Sequence, residues 1–462
     1  MVLTAPPETP TRGEQDRLLR EAVRVLLRNW HGYATVPSRS LYPHQWSWDS
    51  AFIALGLQHI SAARAATELL SLFGAQWADG RAPQIVFNPA VPDDAYFPGP
   101  SVWRSSAVDG HPPIATSGII QPPVHAVAAA SIVPRLGERG LRFAERAYPC
   151  LVDLNAYTRN RRTVDGGLAA LVHPWETGLD NSPTWDHPLA AVPADHTLFE
   201  TYTRRDVAHA GVGERPTDDD YARYIRLMLM YRDQGYDDDW VRAEAEFLVV
   251  DPTFNALWAW SELGLADIAR RLGRDDSGHL AEATRITAAM VDRLWSEERG
   301  QFVACDVRSG RLLPERTVAG LIPVILPGLP PTVVADLVAT ATGEAFRIGA
   351  SDVHGVPSFD LTDVRHEPRR YWRGPTWLNT TWLVARGLDV HGHHKLARRL
   401  DDDLVGLVAR SGFREYFHPR TGRGHGTRSF SWSAALLIHV LARSDRNQPP
   451  LVPAELSDPV DL

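Results

Sequence analysis

Pro252-Thr253-Phe254-Asn255-Ala256-Leu257-Trp258-Ala259-Trp260-Ser261-Glu262-Leu263-Gly264-Leu265 and Pro375-Thr376-Trp377-Leu378-Asn379-Thr380-Thr381-Trp382-Leu383-Val384-Ala385-Arg386-Gly387-Leu388 share one pattern. Each begins Pro-Thr-aromatic, follows with Asn and Trp, and reaches Gly-Leu at the same distance from Pro-Thr. Proline suits the first turn of a helix and glycine its close. Each unit therefore reads as a helix that ends at Gly and is followed by a second helix. A looser copy runs from Pro43 to Gly56-Leu57. Repeated helical hairpins with aromatic residues at one end predict an α/α toroid, in which helix starts line a central pocket.

Helical periodicity dominates the rest of the chain. Apolar residues recur at helical spacing over 14–29, 49–72, 123–136, 138–160, 219–231, 237–250 and 252–272. The pattern continues over 276–295, 316–325, 331–341, 376–390, 394–408 and 431–442, which predicts an all-α fold. Strand signals are short, at 84–87 and 302–306. Long Pro/Gly/Asp-rich segments at 77–113, 181–218, 346–374 and 412–430 read as lids or binding loops. No linker divides the chain. The expectation is a single catalytic domain over 1–445, with cap loops at about 77–113 and 181–218 and a frayed polar tail over 446–462.

The chain has 462 residues, 44% of them hydrophobic and 23% charged, which suits a large packed core and excludes disorder as the main state. A net charge of −8 lacks the basic footprint of a nucleic-acid binder. A single lysine, Lys395, stands among 48 basic residues, a compositional bias and not a site. The two cysteines, Cys150 and Cys305, lie far apart and read as free thiols in a reducing compartment. The first 20 residues hold no apolar signal-peptide core, and the most apolar stretch, 317–334, is broken by Pro323, Pro327, Pro330 and Pro331. These features predict a cytoplasmic protein with no membrane partner. Assembly into a homo-oligomer is compatible with the composition.

Tryptophan is the informative excess. Fifteen Trp residues are present, several beside Asp, Gln, His or Tyr, as in Tyr42-Pro43-His44-Gln45-Trp46-Ser47-Trp48-Asp49-Ser50. Indole faces stack on pyranose C–H faces while polar neighbours meet the hydroxyls, so such clusters suit a sugar site. Core packing is the competing reading. Two carboxylates stand out in aromatic loops. Asp180 lies in His173-Pro174-Trp175-Glu176-Thr177-Gly178-Leu179-Asp180-Asn181-Ser182, where a carboxyl near Trp can stay protonated as a general acid; the alternative is a turn or cap role. Glu415, in Gly412-Phe413-Arg414-Glu415-Tyr416-Phe417, could activate a water or simply pair with Arg414. Two such carboxylates are what glycoside hydrolysis requires.

The Tyr42–Ser50 stretch, the Trp-Glu-Thr-Gly-Leu-Asp-Asn-Ser run and Tyr371-Trp372-Arg373-Gly374-Pro375-Thr376-Trp377 resemble glycoside hydrolase family 63. The likeness is strongest to its bacterial glucosylglycerate and mannosylglycerate hydrolases and extends over about Tyr42 to Trp432. The resemblance implies an (α/α)6 barrel, an inverting mechanism on α-glycosides, no metal and no other cofactor. It places the acid on Asp180 and the base on Glu415. It assigns substrate contacts to Trp46, Trp48, Asp49, Gln121, Trp175, Gly178, Tyr371, Trp372 and Trp377, and matches Arg215 and Tyr221. An arginine near Tyr42 and Tyr96 can hold a small carboxylate, which points to a glycerate aglycone. The competing reading of Arg215 is an ion pair with Asp218-Asp219-Asp220.

Other signals read as structural. The runs Asp218–Asp220, Asp237–Asp239 and Asp401–Asp403 each precede a helical pattern and suit N-terminal caps. His391, His393 and His394 sit at a helix–helix turn without a second ligand group. Gly422, Gly424 and Gly426 space the loop after Glu415 without a phosphate-cradling Lys. The expected activity is inverting hydrolysis of 2-O-α-glucosylglycerate to glucose and glycerate. The alternatives are a mannosylglycerate hydrolase, a broader α-glucosidase, a sugar epimerase (which would need a His pair) and a non-catalytic carbohydrate-binding protein.

Overall fold

The computed structural model describes residues 10–197, 204, 206–208, 211 and 213–444. The expected tail at 446–462, and the part of the second cap loop at 198–203, 205, 209–210 and 212, lie outside the described residues. In chain order the helices are α1 (Arg12–Asn29), α2 (Ser47–Leu57), α3 (Ala62–Phe73), α4 (Pro100–Trp103), α5 (His125–Ile132), α6 (Gly140–Tyr157), α7 (Asp186–Ala190) and α8 (Asp218–Asp233). There follow α9 (Asp238–Glu244), α10 (Pro252–Arg271), α11 (Ser277–Leu294), α12 (Pro331–Thr342), α13 (Leu378–Val390), α14 (His394–Ser411) and α15 (Ser431–Ser444).

Six inner elements close a ring. α2 packs on α5, α5 on α10, and α10 on a 3₁₀ turn at Ile322–Ile325. That turn packs on α13, α13 on α15, and α15 returns to α2. The outer layer sets α1 on α15, α3 on α2, α6 on α5 and α10, α11 on α10, and α14 on α13. Burial separates the layers. Every residue of α2 from Ser47 to Leu57 is buried, whereas α1 buries one stripe of Leu18, Ala22, Val25, Leu26 and Asn29. A helix apolar on all sides belongs inside, and one with a single stripe belongs outside. The structure is an (α/α)6 barrel.

The repeat glycines do not end their helices. Gly264 lies inside α10 and Gly387 inside α13. A Cβ at Gly264 would stand 2.8 Å from the Ala126 backbone of α5, and one at Gly387 would overlap Val324 and Ile325. Gly56, from the third copy, abuts Ala435 of α15 in the same way. The repeat thus marks three close crossings, spaced alternately around the inner ring.

Other expectations need correction. The 49–72 pattern is two helices, since the chain turns at 58–61 and Ser61 caps α3 by accepting from Arg64 N at 3.3 Å. The 237–250 pattern stops as α9 at Glu244, and Val249–Val250 form strand β4. The helix expected over 316–325 contracts to 3₁₀ turns at Val318–Gly320 and Ile322–Ile325, where Pro323 prevents a continuous α-ladder, and the second of these turns takes the sixth place in the inner ring. Asp401–Asp403 lie within α14, where Arg386 pairs with Asp401 and Gly355 N donates to Asp403.

The strands are two to five residues long: β1 (Gln45–Trp46), β2 (Ile85–Val86), β3 (Ala170–Leu171), β4 (Val249–Val250), β5 (Trp295–Ser296), β6 (Gln301–Phe302), β7 (Ala304–Asp306), β8 (Arg311–Leu313), β9 (Arg414–Phe417) and β10 (Gly424–Arg428). β1 pairs with β2, β9 with β10 and β5 with β6, while β3-β4-β7-β8 form an antiparallel sheet. Among the described residues no helix is long and apolar enough to cross a membrane.

Candidate active site

One end of the barrel opens into a cavity, and all fifteen residues singled out from the sequence line it. The ring explains how residues so far apart in sequence meet. Trp46, Trp48 and Asp49 stand at the start of α2, and Trp372 and Trp377 in the segment entering α13. Gln121 precedes α5, Tyr221 lies in the first turn of α8, and Glu415 sits on β9. Tyr42, Tyr96, Trp175, Gly178, Asp180, Arg215 and Tyr371 come from the connecting segments.

The loop bearing Asp180 is fixed from several sides. A 3₁₀ turn over Pro174–Thr177 ends at Gly178, whose φ of +72° only glycine adopts without strain. A Cβ at Gly178 would also stand 2.5 Å from the Trp48 indole, so loop and wall are in direct contact. Tyr224 Oη donates to the Asp180 carbonyl at 2.8 Å, and Trp185 Nε1 donates to the Leu179 carbonyl at 3.0 Å. Beneath the turn, Glu176 is fully buried and pairs with Arg162, whose Nη2 is 2.7 Å from Glu176 Oε1. Glu176 also accepts from Val172 N and from Ile120 N, beside Gln121. Burial pushes the Asp180 carboxyl up to about 7, with Glu415 and Asp206 adding to the rise and Arg215 opposing it. Such a carboxyl can still donate a proton near neutral pH.

Glu415 is held by a different set of partners. Its Oε1 accepts from Tyr42 Oη at 2.9 Å and from Arg215 Nη1 at 3.1 Å. Its Oε2 accepts from Arg215 Nη2 at 2.6 Å and from Thr427 N at 3.0 Å. The partner is therefore Arg215 and not the adjacent Arg414. Gly426 faces this carboxylate across the hairpin, where a Cβ would overlap Oε2. Nor does Arg215 pair with the aspartates after it. Thr217 and Asp220 form a reciprocal cap on α8, while Asp218 pairs with Arg204 at 2.7 Å.

Aromatic rings form the walls. Trp372 and Trp377 stack at 3.9 Å with planes 8° apart, and Tyr371 meets Trp377 edge-on. Trp46 contacts Tyr42 and Tyr96 edge-on at 5.2 and 5.1 Å. Trp175 lies against Tyr221 and Tyr224. Gln121 Oε1 accepts from Trp48 N at 3.2 Å, and Tyr221 Oη donates to the Phe97 carbonyl at 2.6 Å. Burial pushes the Asp49 carboxyl well above its ordinary range, with Glu415 and Glu68 adding to the rise.

The sequence reading missed Gln84, Asp206, Phe430 and Trp432, which also line the cavity. A signal for the last two was present. Phe430-Ser431-Trp432 repeats the aromatic-Ser-Trp pattern of Trp46-Ser47-Trp48 at the start of the neighbouring inner helix. Asp206 carried no local signal, and its partner Arg204, at 2.7 Å, places its guanidinium over the Tyr221 ring. Among the described residues lining the cavity, Arg215 is the only Lys or Arg, and none is a histidine. The described residues of this wall therefore hold no His pair of the kind an epimerase would need.

Residues 42–433 match the family described as mannosylglycerate hydrolase MGH1-like glycoside hydrolase domain. The chain is 42% identical over 423 residues to a mannosylglycerate hydrolase of Thermus thermophilus, covering 90% of this chain and 99% of the relative. It is 33% identical over 449 residues to a glucosylglycerate hydrolase of Mycolicibacterium hassiacum, covering 94% and 98%. The crystal structure of a GH63 mannosylglycerate hydrolase from Thermus thermophilus in complex with Tris superimposes with a TM-score of 0.84 at 40% identity, covering 91% of this chain and 99% of that one. The same enzyme in complex with Tris and D-glycerate superimposes with a TM-score of 0.83.

Proposed function

Since the chain belongs to the mannosylglycerate hydrolase MGH1-like glycoside hydrolases, we propose that it hydrolyses an α-glycoside of glycerate with inversion at the anomeric carbon. The observation that carries this reading is one cavity holding a carboxyl raised to about 7, a second buried carboxylate and Arg215 among tyrosines. Asp180 gives its proton to the glycosidic oxygen as the bond from that oxygen to C1 breaks. Glu415 takes one proton from a water whose oxygen bonds to C1 on the opposite face. The products are a sugar of inverted anomeric configuration and free glycerate. Arg215 supplies the charge complementary to the glycerate carboxylate, and the indoles flank the sugar ring.

Glucosylglycerate and mannosylglycerate are equally supported as the substrate. The relatives carry both activities, and the two sugars differ by one hydroxyl epimer that a few pocket contacts decide. Assaying purified protein on glucosylglycerate, mannosylglycerate and trehalose side by side tests the reading. Activity on trehalose with none on either glycerate glycoside rejects it.

Two further outcomes are expected. Inverting sites leave room for a water between carboxyls about 6.5–9.5 Å apart, so proton NMR should detect the β-anomer first, before mutarotation. Initial release of the α-anomer contradicts inversion. The acid must also enter the reaction protonated. With Asp180 raised to about 7, kcat/KM should therefore fall as pH rises through about 7, approaching a tenfold loss per unit. A profile flat well into the alkaline range removes Asp180 from that role.

A further inference from the structure

A carboxylate offers about four lone-pair positions, and four donors occupy those of Glu415: Tyr42 Oη, Arg215 Nη1, Arg215 Nη2 and Thr427 N. In this arrangement the carboxylate has no acceptor position left for a water, so a donor must leave before it can take a proton. Thr427 N is backbone, fixed within the β9–β10 hairpin. Tyr42 is gripped as well, since its hydroxyl also accepts from Arg215 Nη1 at 2.9 Å. The guanidinium is the group that can be drawn away. It occupies two of the four positions, rests over the Tyr371 ring at 4.8 Å and keeps a buried Nε–H without a partner among the described residues. That Nε–H is a spare donor which the guanidinium can offer to a second anion as it turns away from Glu415.

We infer that the Arg215–Glu415 pair is a latch on the general base, opened by the carboxylate of the aglycone. An anionic aglycone engages the guanidinium and draws it off Glu415, and the vacated oxygen then accepts the attacking water. Once the guanidinium moves, the buried Glu415 carboxylate keeps only Tyr42 Oη and Thr427 N as donors, so the new pair between guanidinium and aglycone carboxylate must offset the cost of opening. A neutral glycoside that fills the sugar site leaves the base latched. Discrimination against it therefore falls on turnover as well as on binding. This inference rests on the glycerate reading above and adds to it the way in which the aglycone switches the base on.

α-D-Glucosyl fluoride and α-D-mannosyl fluoride provide the test, since both are neutral and leave the aglycone space free for added D-glycerate. With the wild-type protein, D-glycerate should accelerate fluoride release saturably, by about tenfold or more. Glycerol, which lacks the carboxylate, should not. Arg215→Ala should release fluoride faster than the wild type without glycerate and should not respond to it. The same variant should lose about ten- to a hundredfold in kcat/KM on the glycerate glycoside. These opposite directions distinguish a latch from a support for the loop, which would lower both activities. If glycerate competes with the glycoside yet fails to accelerate fluoride release, the latch is overturned while the glycerate reading stands. If glycerate neither competes nor accelerates, both fall. The wild-type arm decides the question even if Arg215→Ala does not fold.

Discussion

Asp180→Asn is expected to lower kcat on a glycerate glycoside by about 10²–10⁴-fold while leaving the thermal unfolding midpoint near that of the wild type. The amide keeps the shape of the side chain and removes the proton that the departing oxygen needs. The loop itself is anchored through backbone contacts from Tyr224 and Trp185 and through Glu176, none of which uses the Asp180 carboxyl. The C1–F bond of a glycosyl fluoride breaks to release fluoride as an anion, which needs little proton donation, so Asp180→Asn should retain far more activity on it. Glu415→Gln should lose activity on both substrates, because each needs an activated water. Equal losses on both substrates for Asp180→Asn would show that this carboxyl does not act as the acid.

The largest effect on stability is expected beneath the same loop. Arg162 and Glu176 are both fully buried, with Nη1 to Oε2 at 3.0 Å and Nη2 to Oε1 at 2.7 Å. Arg162 Nε also lies 2.9 Å from Asp238 Oδ1. Arg162→Met leaves two buried carboxylates without this partner, a change that costs about 3–5 kcal/mol. At about 2.1 cal/mol/K of unfolding entropy per residue, that corresponds to a fall in Tm of about 3–5 °C. Turnover should fall as well, because Glu176 tethers both the stretch beside Gln121 and the strand leading into the Asp180 loop. Adding Glu176→Gln should recover part of the stability, since it removes an uncompensated buried charge while its one amide oxygen still accepts from either Ile120 N or Val172 N. An unchanged Tm in Arg162→Met would mean that the pair contributes nothing to the fold.

The sequence made the barrel legible through its repeat, and the cavity through aromatic motifs, for a common reason: both are written in short contiguous stretches. Trp46-Ser47-Trp48-Asp49 and Tyr371-Trp372 occur where a connecting segment delivers an inner helix, so reading each stretch locates its residues. Partnerships across the ring were not legible in that way. Arg215 meets Glu415 from 200 positions away, closer in sequence to three aspartates that it does not pair with. The glycines misled for a related reason. A glycine that lets two helices approach looks, in one dimension, like a glycine that ends a helix, and only Ala126 or Ala435 on the facing element distinguishes them. Val249–Val250 shows the limit of periodicity itself, since two buried valines suit a strand as well as the end of a helix.

The first and last elements of the ring close it upon each other, which has a consequence for biosynthesis. Asn29 at the end of α1 donates to Ser429 O and Ser431 Oγ, Ser431 N donates to Pro37 O, and Gly56 of α2 abuts Ala435 of α15. At about 5–20 residues per second, Ala435 leaves the ribosome roughly 20–80 s after Gly56. For that interval α2, destined to be buried on every side, waits without its principal neighbour. The β9–β10 hairpin bearing Glu415 emerges shortly before that last helix, so no nascent chain can hold an assembled pocket. The fold leaves α2, buried at every position in the finished barrel, without that neighbour for nearly the whole of translation, and a holdase that shields early helices should raise the yield of this protein more than a catalyst of late folding steps would.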